Sequence, residues 1–379
     1  MERGVSDLKI CVLVGGVLDQ SRRIAVERGE KPRVDVLEMQ TRWGASLFDL
    51  SHLQFSGRTG GLRDRLLKLL RRIFGGSALL PVVLASDILK HDVIYATGED
   101  VGVPTAILLR LLGKKKPKLV LRMEQYTFGR TAFRRFIYRQ IFGFAMRRVD
   151  RVLCRTLVHL DYITRNFQRA GFSAELLYEP VDVIFNTDGQ PVDREAFQVI
   201  PAGGFIVSAG LEMRDYETLI RAIEGLPIKL VIGAGSPWSK FGFGPRYADV
   251  PANVTVQSFS PRQMRELYRA ARFVVVPVKP TTRSCGISVI LEAWAMKRCV
   301  LASRTEGLTS YVEDQVDGIF HTPGDVDDLR EKIQALLDNP ELAARLGENG
   351  QAKARQQMKL EQFLERVYQA LENAARAAA

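Results

Sequence analysis

Residues 277–328 read PVKPTTRSCGISVILEAWAMKRCVLASRTEGLTSYVEDQVDGIFHTPGDVDD. A Val-rich run from Phe273 to Val276 precedes them and stops at Pro277. A polar loop follows, and Gly286 breaks it before an apolar-periodic run that carries Glu292. Cys299 to Ala302 then reads as a second strand. Strand, loop, helix and strand in that order predict one unit of a parallel α/β sheet. In such a unit the loop presents the backbone N–H groups of Gly286, Ile287 and Ser288 at a helix N-terminus, where an anion is best held. Glu292 lies four residues after Ser288, about one helical turn on, so a phosphate at the helix tip and a hydroxyl-bearing group beside Glu292 can belong to one ligand. The pyrophosphate and ribose of a nucleotide fit that description. Farther on, Gly318 and Pro323-Gly324-Asp325 predict a turn and a helix N-cap.

Such units occur throughout α/β proteins, and one alone is more often a packing device than a phosphate site. The order of the following residues adds to it. Glu292-Ala293-Trp294-Ala295-Met296, Val300, Gly307, Tyr311-Val312-Glu313, Gly318 and Pro323-Gly324-Asp325 resemble the nucleotide-binding half of retaining glycosyltransferases of the GT-B fold, specifically glycosyltransferase family 4. The family pattern begins Glu-x7-Glu-Ala-Met-Ala and continues through a Gly-containing turn. Here Ser284 stands at the first glutamate's position, and Lys297-Arg298-Cys299 replaces the turn.

The resemblance implies an α/β protein of GT-B fold, two Rossmann-like domains facing a central cleft. Residues 1–190 are the expected acceptor-side domain and 200–355 the expected nucleotide-sugar domain. A helix over 356–379 is expected to cross back to the first. The implied reaction is transfer of a sugar from a nucleotide-diphosphate sugar to an acceptor hydroxyl with retention, as in glycolipid or cell-surface polysaccharide synthesis. A nucleotide-sugar epimerase of the same fold is one alternative; Ser284 and Leu211 together raise another, a non-catalytic homologue that binds a nucleotide sugar or anionic lipid.

Length agrees with two domains, because 379 residues exceed the size at which one core stops growing. Hydrophobic content of 46% with 26% charged residues is ordinary for a soluble globular protein. The N-terminal MERGVSDLKICVLV reads as a leader into a strand without a signal-peptide pattern, and a cytoplasmic protein is expected. Cys11, Cys154, Cys285 and Cys299 show no paired metal spacing and are expected to be reduced and buried. The net charge of +11 is uneven: residues 1–190 hold 31 Lys and Arg against 20 Asp and Glu, and the remainder holds 23 of each. That asymmetry points to an anionic partner for the first half, such as a membrane surface, nucleic acid or acidic substrate.

Along the first half, Leu8 to Val14 predicts a strand followed by Gly15-Gly16, a tight turn or a close approach to ligand. Gly61 to Phe74 predicts a basic amphipathic helix that packs on its own domain or lies on an anionic membrane. His91 to Ala96 is a second strand ending at Thr97-Gly98-Glu99, Val103 to Leu112 a helix, and Lys118 to Arg122 a third strand. Where the family presents a histidine near the acceptor, this chain reads Arg122-Met123-Glu124, so Glu99, Arg122 and Glu124 are the acceptor-side candidates. His52, His91, His159 and His321 are expected in surface or packing roles. From Arg130 to Arg155 arginines alternate with aromatics, a pattern shared by nucleic-acid surfaces and by a core-facing stripe; nucleic acid is the less favoured reading. Glu175 to Tyr178 is a further strand, and Asn186 to Pro201 reads as the linker.

The second half opens with the strand Phe205 to Ser208, then Gly210. Arg214 matches the family's phosphate-binding lysine, and Leu211 occupies the place of its arginine. Gly233-Ala234-Gly235 continues the rhythm but is weak as a dinucleotide fingerprint. The donor site is therefore expected at Gly15, Gly16, Gly210, Arg214, Gly233, Ser284, Cys285, Gly286, Ile287, Ser288 and Glu292. Arg214 and the helix-tip amides would stabilise the leaving diphosphate, Glu292 would hold the ribose, and Gly16 would shape the opposite wall. Asp325-Val326-Asp327 reads as an N-cap, so neither a metal nor another cofactor is expected.

Overall fold

The computed structural model describes residues 8–18, 20–53, 76–124, 131–167, 171–188, 204–234 and 250–377. The chain divides into two units. One comprises Met1–Ile24, Arg33–Tyr178 and Phe363–Ala379, the other Ala25–Pro32 and Glu179–Gln362. The basic segment Gly61 to Phe74, Gly235, and most of the expected linker lie outside the described residues.

The first unit is built on a parallel sheet in the order β2-β1-β3-β4-β5-β6. Its strands are β1 Ile10–Leu13, β2 Ser46–Phe48, β3 Val93–Ala96, β4 Lys118–Met123, β5 Arg151–Cys154 and β6 Ser173–Leu176. β1, β3 and β4 are buried along their whole length, as strands covered on both faces must be, which is why they read as apolar runs with little alternation. Leu119, Leu121 and Met123 of β4 share one core with Cys11, Leu13, Ile94, Ala96, Val152 and Cys154. The alternate residues Lys118 and Arg122 face the other way, where they pair with Asp150 at 3.3 Å and Asp35 at 3.2 Å. The last helix, Leu360–Arg376, belongs on that side: Phe363 lies with its ring centroid 5.2 Å from the Arg122 guanidinium. Its Tyr368 packs on Trp43 at the same ring separation, 5.2 Å.

The helix expected from Val103 begins at Glu99 and runs to Leu111. Gly98 is extended at its N-cap, and Glu99 and Asp100 in the first turn suit the helix dipole, so the helix starts ahead of its apolar stripe. The second helix of the unit that bears on function is Ala132–Met146. Its aromatics do not form the core-facing stripe that their spacing allows: Phe142 is buried, whereas Phe133, Phe136, Tyr138 and Phe144 are exposed.

The second unit carries the sheet β12-β11-β10-β7-β8-β9, with every described pairing parallel. Its strands are β7 Phe205–Ala209, β8 Lys229–Gly233, β9 Val254–Gln257, β10 Val274–Val276, β11 Val300–Ser303 and β12 Ile319–His321. The chain winds outward from β7 through β8 and β9, then returns to β10 on β7's other side. The strand order therefore reverses between β7 and β10, the point at which doubly wound sheets open a ligand crevice beyond the carboxyl ends of their strands.

Helix ends in this unit follow their sequence signals. Ser260 and Gln263 form a capping box at Pro261–Ala270, and Asp325 accepts the N–H groups of Asp327 and Asp328 at Val326–Asp338, the expected N-cap. The helix Ile287–Ala295 is fixed at its far end by Trp294, whose Nε1 donates to Asp317 O at 2.9 Å while Lys353 pairs with the Asp317 carboxylate at 2.6 Å. After this helix Lys297 adopts a left-handed conformation, φ 57°, at the position where the family pattern carries glycine. All four cysteines are free and buried, and burial pushes the Cys154 and Cys299 thiols up to about 12.

Candidate functional site

At the switch point of the second unit the loops that follow β7 and β10 run side by side. Asp215 N donates to Pro277 O at 3.0 Å, Lys279 N to Met213 O at 2.9 Å, and Arg214 and Val278 form an isolated antiparallel bridge. Glu212 and Arg283 add an ion pair at 2.8 Å between the loops. Asp215 also caps the next helix, accepting from Thr218 Oγ1 at 2.8 Å, so the loop after β7 has little freedom. This pairing brings Arg214 against the tip of the Ile287–Ala295 helix.

Two glycines make room for the guanidinium. Gly210 has φ +96°, and a Cβ there would fall 2.6 Å from Arg214 Nη2. Gly286 has φ +102°, and its Cβ would lie 2.9 Å from Val276 Cγ1 and 3.7 Å from Arg214 Nη1. Both positions therefore require glycine for backbone conformation and for space. Arg214 is oriented from behind by its own loop, Nε donating to Ala209 O at 2.7 Å and Nη1 to Glu212 O at 3.1 Å. Gly286 is the helix N-cap and supplies no side chain, so the first-turn amides at Ile287 and Ser288 have no side-chain cap. Ile287 is buried and Ser288 exposed. A fixed positive charge beside free helix-tip amides is an anion site by both charge and dipole.

Glu292 sits one turn along the same helix. Burial raises its carboxyl to about 7, against the opposing effects of a hydrogen bond from Tyr268 and the charge of Arg214. Tyr268 comes from the helix Pro261–Ala270 and is itself buried, its phenol pushed well above the ordinary value by burial and by the Glu292 charge. A second tyrosine, Tyr216, donates to Gly210 O at 2.5 Å. Neither tyrosine was singled out by sequence; only Tyr268's place in an apolar stripe marks it. Cys285 is buried in the loop before Gly286, and Ser284 Oγ is buried without a hydrogen-bond partner among the described residues. Gly233 closes β8, where its carbonyl accepts Gly210 N–H at 3.1 Å.

The floor of the site is a relay of neutral groups. His321, ending β12, donates from Nδ1 to Thr322 O at 3.0 Å, which leaves Nε2 to accept from Ser303 Oγ at 3.0 Å. Ser303 in turn accepts Val278 N–H at 2.7 Å and so pins the loop after β10. Burial holds the His321 imidazole below its ordinary pKa, which keeps this tautomer neutral.

In the first unit the turn at Gly15-Gly16 is organised by Asp49. The buried carboxylate accepts Leu18 N–H at 2.7 Å and Ser51 N–H at 2.9 Å, and Gly16 O accepts Leu50 N–H at 3.0 Å. Burial alone would raise the Asp49 carboxyl, but these hydrogen bonds hold it below the ordinary range. A Cβ on Gly15 would overlap the Asp100 carboxylate, so that position takes nothing larger.

Glu99 and Glu124 meet at the carboxyl ends of β3 and β4, Glu99 Oε1 accepting Glu124 N–H at 2.8 Å, with Arg155 at 3.8 Å from the Glu124 carboxylate. Arg122 does not join them: it lies within β4 on the face opposite the Leu119–Leu121–Met123 core, where it is committed to Asp35. His159 reaches the Met123 backbone from the helix Leu157–Phe167. Burial, assisted by the Arg155 charge, lowers its imidazole to about 4.

Residues 205–353 match the family model of Glycosyl transferases group 1, which spans the second unit's sheet and site. An uncharacterized glycosyltransferase of Methanocaldococcus jannaschii is 26% identical over 220 residues, 56% of this chain and 56% of that protein. The chain thus spans about half the length of the curated relatives it matches, 56% of that protein and 51% of a D-inositol 3-phosphate glycosyltransferase from Saccharomonospora viridis. Among solved structures, Anabaena HepE in complex with UDP superposes with a TM-score of 0.67 at 17% identity, covering 97% of this chain and 100% of that one. Sucrose-phosphate synthase from Thermosynechococcus elongatus gives 0.71 at 18% identity, covering 98% and 100%. At these identities the likeness establishes the fold: two parallel-sheet Rossmann-like halves, as in GT-B proteins.

Proposed function

We propose that this chain moves a sugar from a nucleoside-diphosphate sugar to an acceptor hydroxyl, with retention at the anomeric carbon and without a metal ion for the chemistry. The observation that carries the reading is Arg214, held between Gly210 and Gly286 beside the uncapped amides of the Ile287–Ala295 helix. Negative charge develops on the diphosphate as the glycosidic bond breaks, and a preorganised guanidinium and helix tip meet it without reorganisation. Arg214 can grip two phosphate oxygens at once. Glu292, one turn on, suits the ribose hydroxyls. The proton of the acceptor hydroxyl would pass to an oxygen of the departing phosphate as the new glycosidic bond forms on the same face. HepE, solved with UDP and with UDP-glucose, supports a nucleotide sugar as donor.

Ser284 favours one second reading, binding without turnover, because it removes a carboxylate from the donor loop. The excess positive charge of residues 1–190 supports an anionic or lipid-linked acceptor, met in the cytoplasm at the inner face of the membrane. A thermal-shift series of nucleoside-diphosphate sugars, followed by product analysis with labelled donor, tests all of this. A ligand at about 100 times its dissociation constant stabilises by about 2.7 kcal/mol. Transfer to an acceptor supports the proposal, and binding without product supports the second reading. A full series without any shift, or activity abolished by a chelator and restored by manganese, overturns the site or its metal independence.

A further inference from the structure

The Ala132–Met146 helix is apolar on the side that faces solvent. From Thr131 to Ile141 every described side chain is exposed, among them Phe133 at 73% and Phe136 at 58%. Phe136 and Ile137 lie three and four residues after Phe133, Ile141 four after Ile137 and Phe144 three after Ile141, which places all five on a single stripe. Phe142, Ala145 and Met146 lie on the opposite stripe and enter the core. The outward stripe is thus not the remainder of a core-facing pattern but a second apolar face.

The neighbouring helix extends it. Arg110 donates to Phe144 O at 2.5 Å and holds its guanidinium 3.9 Å from the Phe144 ring centroid. Just beyond Arg110, Leu111 is 72% exposed and Leu112 is also exposed. Lys114, Lys115 and Lys116 follow, all exposed. Contiguous apolar surface of this kind on a charged rim marks an interaction site.

The charge selects the occupant. Residues 130–148 read RTAFRRFIYRQIFGFAMRR, with six arginines and no acidic residue. We infer that this face docks the protein on an anionic lipid membrane, the helix lying in the interface plane with its rings and isoleucines at the acyl boundary and the arginines and lysines on the headgroups. A second copy of the chain would bring like charges together around the patch, which opposes self-association. A nucleic acid would use the rings, but Ile137, Ile141, Leu111 and Leu112 offer bases no stacking surface. Among the described residues no helix is long and apolar enough to cross a membrane. This inference goes beyond the transfer reaction and does not depend on it.

Flotation of the full chain with vesicles of phosphatidylcholine alone, and of phosphatidylcholine mixed with phosphatidylglycerol, tests it. The parent is expected to float with the mixed vesicles at low salt, and to be released at high salt. The triple variant Phe133→Ser, Phe136→Ser, Ile137→Ser replaces exposed groups and keeps the parent's melting temperature. It should bind at least about tenfold more weakly, since the apolar area that the two rings and the isoleucine withdraw from water is lost. Arg135→Gln should shift the salt midpoint downward. UDP-glucose binding, read on the same preparations, stays that of the parent, which separates this result from any failure of the transfer reaction. Equal flotation of parent and triple variant, no flotation of either, a concentration-dependent dimer lost in the variant, or preference for a single-stranded oligonucleotide over vesicles would each overturn the inference.

Discussion

Gly350 of the helix Pro340–Gln357 packs directly on the indole of Trp294: a Cβ at residue 350 would fall 2.2 Å from Trp294 Cδ1 and 2.3 Å from its Nε1. The two positions are matched, since Trp294 stands where the family pattern has methionine, and its bulk is accommodated by a glycine on the facing helix. Gly350→Ala should therefore destabilise by about 1–3 kcal/mol through overpacking, although alanine is the better helix former. Adding Trp294→Met should recover most of that loss, because methionine fills irregular space. A double-mutant cycle by urea unfolding checks it; additive effects would show that the two residues do not share the space.

Nucleotide affinity should depend on pH around neutrality. Glu292 titrates near 7 in the folded chain, so the acceptor-only carboxylate that suits ribose hydroxyls is half populated there. Binding of UDP-glucose should tighten as pH rises from 6 to 8, and Tyr268→Phe, which removes a hydrogen bond that favours the carboxylate, should move the midpoint upward. Glu292→Gln should flatten the profile. For stability the sign is opposite: the raised folded pKa favours the folded state below the ordinary glutamate value of 4.5, and that contribution is lost as pH climbs through about 7. Isothermal titration at stepped pH, alongside melting curves, reads both.

His159 acts in the other direction. Its folded imidazole refuses a proton until about pH 4, whereas the unfolded one accepts it near 6.5. Below pH 6.5 the unfolded state binds more protons, and stability falls with pH until about 4, by up to about 3 kcal/mol. His159→Gln should reduce the slope of melting temperature against pH over that interval. A slope unchanged in the variant would assign the acid sensitivity to other groups, His321 first among them.

Arg214→Ala should weaken UDP-glucose binding or turnover about tenfold to a hundredfold, the loss of a charged hydrogen bond of about 1.5–3 kcal/mol. Its thermal stability in the absence of nucleotide should change far less. Parent-like binding and turnover would remove the proposed site.

Lys297 holds a left-handed backbone at the helix end, φ 57°, which is strained for a residue with a Cβ. Lys297→Gly should raise stability by up to about 1 kcal/mol, the left-handed penalty of a non-glycine residue less the chain entropy of glycine. Melting by circular dichroism checks it, and a lower melting temperature would point to the distant ion pair with Glu348 at 3.8 Å as the more important role.

The parts of this molecule that could be read from sequence are those made within a few residues. Gly286 and Asp325 begin helices and Glu292 belongs to one, so spacing was enough to place them on those elements. Tyr268, Asp49 and His159 reach their partners from elements separated by a strand or more, and no local pattern announces which carboxylate or backbone group a buried polar side chain will meet. For Arg122 strand parity is the local signal. The residue shares it with Lys118, and both ends of β4 therefore carry charge to the face opposite the Leu119–Leu121–Met123 core. The Ala132–Met146 helix was ambiguous for a different reason: it has two apolar stripes, and periodicity cannot say which of them the sheet will cover.

The return of Phe363–Ala379 to the first unit has a consequence for biosynthesis. Translation delivers β1 to β6 long before the residues that cover one side of them, so Arg122 and Trp43 leave the ribosome without Phe363 and Tyr368. The first unit, begun earliest, is finished last. Through the whole synthesis of the second unit it exists as a nascent sheet lacking Phe363, Leu364, Val367 and Leu371, all of which are buried in the finished protein. In the interval between those two events the chain is most exposed to chaperones and proteases, and a stop codon anywhere before Phe363 would leave it there permanently.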